Sequence, residues 1–217
     1  MPKKTFFRLP EAKQQRLMTA ARIEFSRARF EDASISNIIK LASIPRGSFY
    51  QYFEDKADIF DYYVQQIFAN MDAEWKACLE DKHHGDLFAA FRDFFAQKIV
   101  TVLSGPNAAF FERQFTHVDR LNASNKEDHQ QRAHKHPHHK SIERMISNVT
   151  IDYSKLKIDT PEDAANLFSL LMLIVIQSLG SYFRQKAAGV VVPTAEIVHM
   201  FNHELDWLEF GVSKPQL

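Results

Sequence analysis

The chain has 217 residues, 45% of them hydrophobic, with only 6 Gly and 8 Pro; this suits one compact domain, or a small domain joined to a larger one, and favours long helices over many short strands. Its 27 Lys and Arg balance 27 Asp and Glu overall, but residues 1–56 hold eleven basic and six acidic side chains and the rest carries the opposite surplus, the charge distribution of a polyanion-binding head on a different body. Cys78 is the only cysteine, which excludes an internal disulfide and any CxxC zinc or redox motif and makes a reducing, cytoplasmic setting the expectation.

The N-terminus, MPKKTFFRLPEAK, lacks the long apolar core of a signal peptide. A first helix is expected from Glu11 to Arg27, where Leu17, Ala21, Phe25 and Ala28 form one apolar stripe behind Pro10. Ser34 is a good cap for a second helix with Ile35, Ile38, Ile39 and Ala42 turned inward. After a turn near Ser43 and Ile44, Pro45 opens a short third helix ending around Phe53. Asp55 caps a long fourth helix reaching about Asp81, with Ile59, Tyr63, Ile67, Met71, Trp75 and Leu79 at spacing four.

Asp86 to Leu103 reads as another helix, followed by a break at Ser104–Asn107 and a short helix from Ala108 to about Val118. Residues 122–140 are polar and read as a loop, and Ser141 to Val149 as helix again. Thr160, Pro161, Glu162 and Asp163 form the clearest helix start, leading a helix to about Ala188. Its apolar run over 164–183 is long enough to test as a membrane span, but interrupting polar residues and acidic flanks favour a helix buried between protein layers. The last helix opens at Pro193-Thr194 and ends at Gly211. The expected fold is all-α, about nine helices.

Helices two and three, braced by the first, make a helix-turn-helix unit, whose second helix can enter the DNA major groove. That explains aromatic residues on several faces of a short helix. Phe49 and Phe53, four apart, face the core, while Tyr50 and Tyr52 lie at other angles with hydroxyls able to reach phosphate. Gly47 and Ser48 keep the helix start slim, Arg46 can reach a guanine edge or a phosphate, and Lys56 sits at the start of the next helix.

The segment from Leu17 to Phe60 resembles the TetR/AcrR family of bacterial transcriptional regulators. LMTAARIEF stands where that family's first helix reads roughly I-L-x-A-A-x-x-L-F. SISNIIKLASIPRGSFYQYFEDKADIF matches its helix-turn-helix pattern at Ile38, Ala42, Gly47, Ser48, Phe49, Tyr50, Tyr52, Phe53 and Lys56. Three positions depart from the pattern: Ser43 replaces the turn glycine, Pro45 the capping serine, and Arg29 the glycine that ends helix one. If φ is positive at Ser43, the replacement costs about 1 kcal/mol.

The resemblance implies a domain over 1–56 that binds a double-stranded DNA operator through Ser34, Arg46, Gly47, Ser48, Tyr50, Gln51 and Lys56. Ser48, Tyr50 and Lys56 are expected mainly on phosphates, and Arg46 and Gln51 on base edges. It implies a second domain over 57–217 that forms a homodimer and encloses a pocket for a small apolar or aromatic effector. Phe88, Phe91, Phe95, Phe110, Phe111, Phe115 and Phe168 are the expected pocket residues. Leu171, Ile174, Ser178, Ser181, Ile197, Phe201, Leu205 and Leu208 are the expected dimer face. The expected function is a ligand-released repressor, with no membrane partner. No cofactor motif, metal-ligand spacing or catalytic arrangement is present. The alternative is a metal-sensing regulator or metal-binding helical protein using His129, His134, His136, His138 and His139.

Overall fold

The computed structural model describes residues 1–115 and 145–212, and every regular element among them is helical. Contacts divide the chain into two compact units: Met1–Ala69 with Pro106–Gln114, and Asn70–Gly105 with Phe115–Leu217. The expected domain boundary at 56/57 falls at the start of a helix within the first unit.

The first unit contains α1 (Lys4–Phe7), α2 (Glu11–Arg27), α3 (Ile35–Ala42), α4 (Arg46–Tyr52) and α5 (Lys56–Ile67), with residues 108–114 helical. The hydroxyl of Ser34 accepts from the Ser36 N–H and the carboxylate of Asp55 accepts from the Asp58 N–H, so both expected caps form. Pro45 stands at the N-cap of α4, one position before the expected first turn. The aromatic block packs as one core: Phe25, Phe49 and Phe53 are fully buried with Leu17, Ile38 and Ile59.

Helix α1 is too short to show a period, and the sequence pattern does not reveal it. Phe6 holds it down, buried with its ring centroid 5.1 Å from that of Phe53 and 5.3 Å from that of Tyr62.

The second unit contains α6 (Met71–Lys76), a π-helical turn over Ala77–Lys82, α7 (Leu87–Ser104), a 3-10 turn at Tyr153–Lys155, α8 (Pro161–Ala187) and α9 (Thr194–Phe210). The single helix expected from Lys56 to about Asp81 is instead α5, α6 and the π turn, with a break at residues 68–70. A stripe at spacing four gains about 40° per step on a 3.6-residue helix, so five steps carry it to the opposite side. No straight helix keeps Ile59 and Leu79 on one face; the break and the π turn reset it. Trp75 centres this core, with ring centroids of Phe94 and Phe168 both at 5.5 Å. Its Nε1–H donates to the Met145 carbonyl at 2.8 Å.

Helix α8 is long and apolar enough to cross a membrane, but only 39% of its most apolar stretch is buried within the chain. The buried side, including Phe168, Leu171, Val175 and Phe183, belongs to a helix that packs on α7 and α9. Leu170, Leu173 and Ile176 on its other side are exposed.

Candidate nucleic-acid interface

The geometry of α4 is set from both ends. At its start, α3 closes with Ser43 in the left-handed region, φ 52° and ψ 49°. The Ser43 N–H reaches the Lys40 carbonyl and the Ile44 N–H the Ile39 carbonyl, both at 3.2 Å, a hydrogen-bonded turn that usually takes glycine. At its end, the N-terminal segment supplies donors to the last carbonyls. The Lys3 N–H donates to Tyr52 at 2.8 Å, the Lys3 ammonium to Tyr50 at 2.9 Å, and the Thr5 hydroxyl to Gln51. Helix ends leave such carbonyls unpaired, so α1 works as a clamp on the short helix. Sequence reasoning missed it; MPKKTFF carries the donors but no periodic signal.

Glu24 organises the approach of α2 to α3. It is only 1% exposed. Its carboxylate accepts from Arg27 at 2.7 and 3.0 Å, the Ser34 N–H at 2.8 Å and Asn37 Nδ2 at 3.1 Å. Burial raises its pKa, but the bonds from Arg27, Ser34 and Asn37 outweigh it and hold the group below the usual glutamate range. The available signal was an acid on the apolar side of the first helix, three residues after Ala21 and three before Arg27.

With its core face anchored by Phe49, α4 presents Arg46, Gly47, Tyr50 and Gln51 to solvent and leaves Ser48 half-buried. Tyr52, also half-buried, packs on the core. Ser34 is occupied as a cap. Lys56 is not held out toward an anion: its ammonium donates to the carbonyls of Glu31 at 2.8 Å and Ala33 at 2.9 Å and lies 4.8 Å from the centre of the Phe30 ring. Two of its three donors brace the α2–α3 connection, which leaves one for the expected phosphate.

Among the described residues, the seven expected pocket phenylalanines fall into different clusters. Phe110 lies in the core of the first unit, 5.1 Å from Tyr63, with Phe111 packed against it. Phe91, Phe95 and Phe168 are fully buried around Trp75, Phe88 is buried, and Phe115 stacks on Phe183 at 5.4 Å. An open groove of about 580 Å³ in the first unit and one of about 710 Å³ in the second have other walls.

The expected dimer face needs a similar correction. Leu171, Ser178, Ile197, Phe201 and Leu205 are buried inside the unit, and Ile174 and Ser181 are half-buried; only Leu208 is exposed. The exposed apolar side chains of α8 are Leu170, Leu173 and Ile176, at 51%, 58% and 47%, and those of α9 include Trp207 and Phe210. A stripe read from periodicity finds the apolar side facing the protein's own core first. The histidine tract from His129 to His139 lies outside the described residues.

Residues 17–63 match the family model for bacterial regulatory proteins of the tetR family, and residues 86–212 match the tetracyclin repressor-like C-terminal domain. Among solved structures, the chain resembles a TetR family transcriptional regulator from Chloroflexus aurantiacus J-10-FL at 21% identity. That match covers 97% of this chain and 98% of that one, with a TM-score of 0.51. It also resembles a TetR-family transcriptional regulator from Pectobacterium atrosepticum at 20% identity, over 95% and 96% of the two chains, with a TM-score of 0.55. At these identities the likeness is one of fold. No curated protein matches the chain. With a helix-turn-helix at one end and the matching C-terminal domain over most of the rest, the chain belongs to the TetR family of transcriptional regulators and is a DNA-binding regulator, not an enzyme.

Proposed function

We propose that the chain is a cytoplasmic, dimeric repressor. It sets two copies of α4 into successive major grooves of a palindromic operator and releases DNA when a small apolar or aromatic effector binds the second unit. The observation that carries the DNA contact is Gly47. Glycine is a poorer helix residue than alanine, yet a Cβ at Gly47, the second residue of α4, would meet nothing within 4 Å. Among the described residues nothing calls for a glycine there; close approach by an external partner would. Arg46 and Gln51, exposed beside it, are the base readers, and Ser48 and Tyr50 the phosphate contacts. Ser34 caps α3 and adds its hydroxyl to the phosphate side.

Dimerisation is supported by the open side of α8, where Leu170, Leu173 and Ile176 form an apolar stripe beyond what a lone protomer buries. One short helix reads too few base pairs to be selective, so a second copy one DNA turn away supplies the missing recognition. The effector acts by favouring the conformation of lower DNA affinity. The effector would enter by parting the buried aromatic cluster around Trp75, and a change in Trp75 fluorescence reports its entry.

Fluorescence anisotropy with operator duplexes of different spacing and sequence tests the reading. Arg46→Ala should lose about 1–3 kcal/mol of discrimination at one position in each half-site, with little change on unrelated DNA. Equal selectivity of parent and variant would remove Arg46 from the base-reading role. Leu173→Glu should yield a folded monomer by sedimentation; an unchanged dimer would move the interface elsewhere.

A further inference from the structure

Cys78, His83 and Asp93 meet in the second unit, with their ligand atoms all within 4.8 Å of one another. His83 Nε2 lies 3.1 Å from Asp93 Oδ2, and Cys78 Sγ lies 3.8 Å from the same oxygen. Around a tetrahedral zinc ion, bonds of about 2.0 Å to nitrogen and oxygen and about 2.3 Å to sulfur give edges of about 3.3 Å for N···O and about 3.5 Å for S···O. The three groups stand within a few tenths of an ångström of two of those edges.

The backbone makes this meeting possible. On an α-helix, residues five apart point about 140° away from each other. The π turn over Ala77–Lys82, closed by the His83 N–H on the Cys78 carbonyl at 3.1 Å, reduces that angle to roughly 50° and puts thiol and imidazole on one side. The following residues fix His83. His84 and Gly85 both have positive φ, 52° and 86°. The Gly85 N–H donates to the Leu79 carbonyl at 2.8 Å, and the Gly85 carbonyl accepts from the Asp152 N–H at 2.9 Å. A Cβ at Gly85 would lie 2.7 Å from the Asp152 nitrogen. Asp93 comes from α7, so the cluster joins two elements.

Lys82 Nζ lies 2.6 Å from the same Asp93 oxygen. Its side chain is 60% exposed and free to swing into solvent, so it serves as a counterion that a stronger cation displaces. His83 and Asp93 also line the open groove of about 710 Å³, which gives an ion a path in. Arg92, which also lines that groove, is tied to Asp206 at 2.7 Å and Glu209 at 2.9 Å.

We propose that Cys78, His83 and Asp93 bind a borderline-soft divalent transition ion of the zinc or cobalt type, with the fourth position left to water. One thiolate, one imidazole and one carboxylate suit such an ion and not magnesium or calcium, which select oxygen alone. The cysteine loses its proton on binding. The Cys-x4-His spacing with a distant Asp matches no sequence motif, because the π turn that aligns it leaves no periodic mark.

The test is a cobalt(II) titration of the full chain with His129, His134, His136, His138 and His139 replaced by Gln, which removes the tract as a competing ligand. We expect one equivalent bound, with thiolate-to-cobalt charge-transfer absorption and the intense visible bands of four-coordinate cobalt. Cys78 is the sole cysteine, so the charge-transfer band reports this position alone. It should vanish in Cys78→Ser. Affinity should fall by about tenfold or more in His83→Gln and Asp93→Asn, and zinc should displace cobalt. Absence of the band at saturating cobalt, or a band of unchanged affinity in both His83→Gln and Asp93→Asn, overturns the site. Circular dichroism checks the fold of each variant; if Cys78→Ser unfolds, the other two carry the test. The readout needs no DNA, so its failure is separate from that of the repressor reading.

Discussion

The two units use phenylalanine differently. In the first, Phe49 on α4 and Phe53 at its C-cap are four residues apart, and they share a core with Leu17, Phe25 and Ile38 from the two helices immediately before it. In the second, Trp75 meets Phe91, Phe94, Phe95 and Phe168, which come from two helices well along the chain. Local packing tied to a turn leaves a pattern in the sequence. Packing between distant helices leaves only a composition, so a surplus of phenylalanine does not say which rings meet.

Truncating the anchor of each core has the largest expected effect. Phe53→Ala and Trp75→Ala should each cost about 3–5 kcal/mol, read by denaturant unfolding, with hydrogen exchange locating the loss in the unit that carries the change. A Trp75→Ala cost below about 1 kcal/mol would mean that the second core is loosely packed, with room for the proposed effector.

Glu24 comes next, because the first unit also depends on a buried polar group and the second core on apolar rings. Glu24→Ala removes the acceptor of the Ser34 N–H and of Asn37 and should cost about 2–3 kcal/mol. The folded state keeps Glu24 ionised to lower pH than the unfolded chain does. In acid the unfolded state therefore binds the extra proton, and the stabilisation present above the ordinary glutamate range is lost as pH falls through the lowered pKa. Glu24→Gln should flatten that acid limb. An identical pH profile in parent and variant would show that the carboxylate contributes nothing as an anion.

How much was legible follows the same division. The bounds of α2, the caps at Ser34 and Asp55 and the burial of Phe49 and Phe53 could all be read, because each is decided within about one or two helical turns; the positive φ at Ser43 was a condition that the family resemblance raised. The clamp by α1 could not, since four residues carry no period. The break at 68–70 was hidden by a spacing-four stripe that looks continuous on paper and drifts on a real helix. For α8 and α9 the sequence reveals that they are amphipathic. It does not say which apolar side meets the protomer's own core, and Leu171 and Leu170 are adjacent residues with opposite fates.

Lys56 and Arg46 sharpen the contrast inside the first unit. Lys56→Met should cost about 1–2 kcal/mol of stability through the lost bonds to Glu31 and Ala33, and change the salt dependence of DNA binding by less than the slope of about 1 expected for a lost phosphate contact. Arg46→Ala, exposed and away from the core, should leave stability within about 0.5 kcal/mol and act on DNA affinity alone. If Lys56→Met lowered the salt slope by a full unit with no loss of stability, the lysine would be a phosphate ligand after all.

The smallest effect is at Ser43, where the chain departs from its family's glycine. A non-glycine residue in the left-handed region costs about 1–2 kcal/mol, whereas glycine adds unfolded-state entropy worth about 0.5–1 kcal/mol. The two terms oppose each other, and the first is larger when φ is positive, as it is here at 52°. Ser43→Gly should therefore stabilise the first unit by about 0.5–1 kcal/mol. The turn's hydrogen bonds from Ser43 to Lys40 and from Ile44 to Ile39 are made by the backbone and survive the change. A loss of stability would require the serine side chain to contribute more than the relief of its own strain.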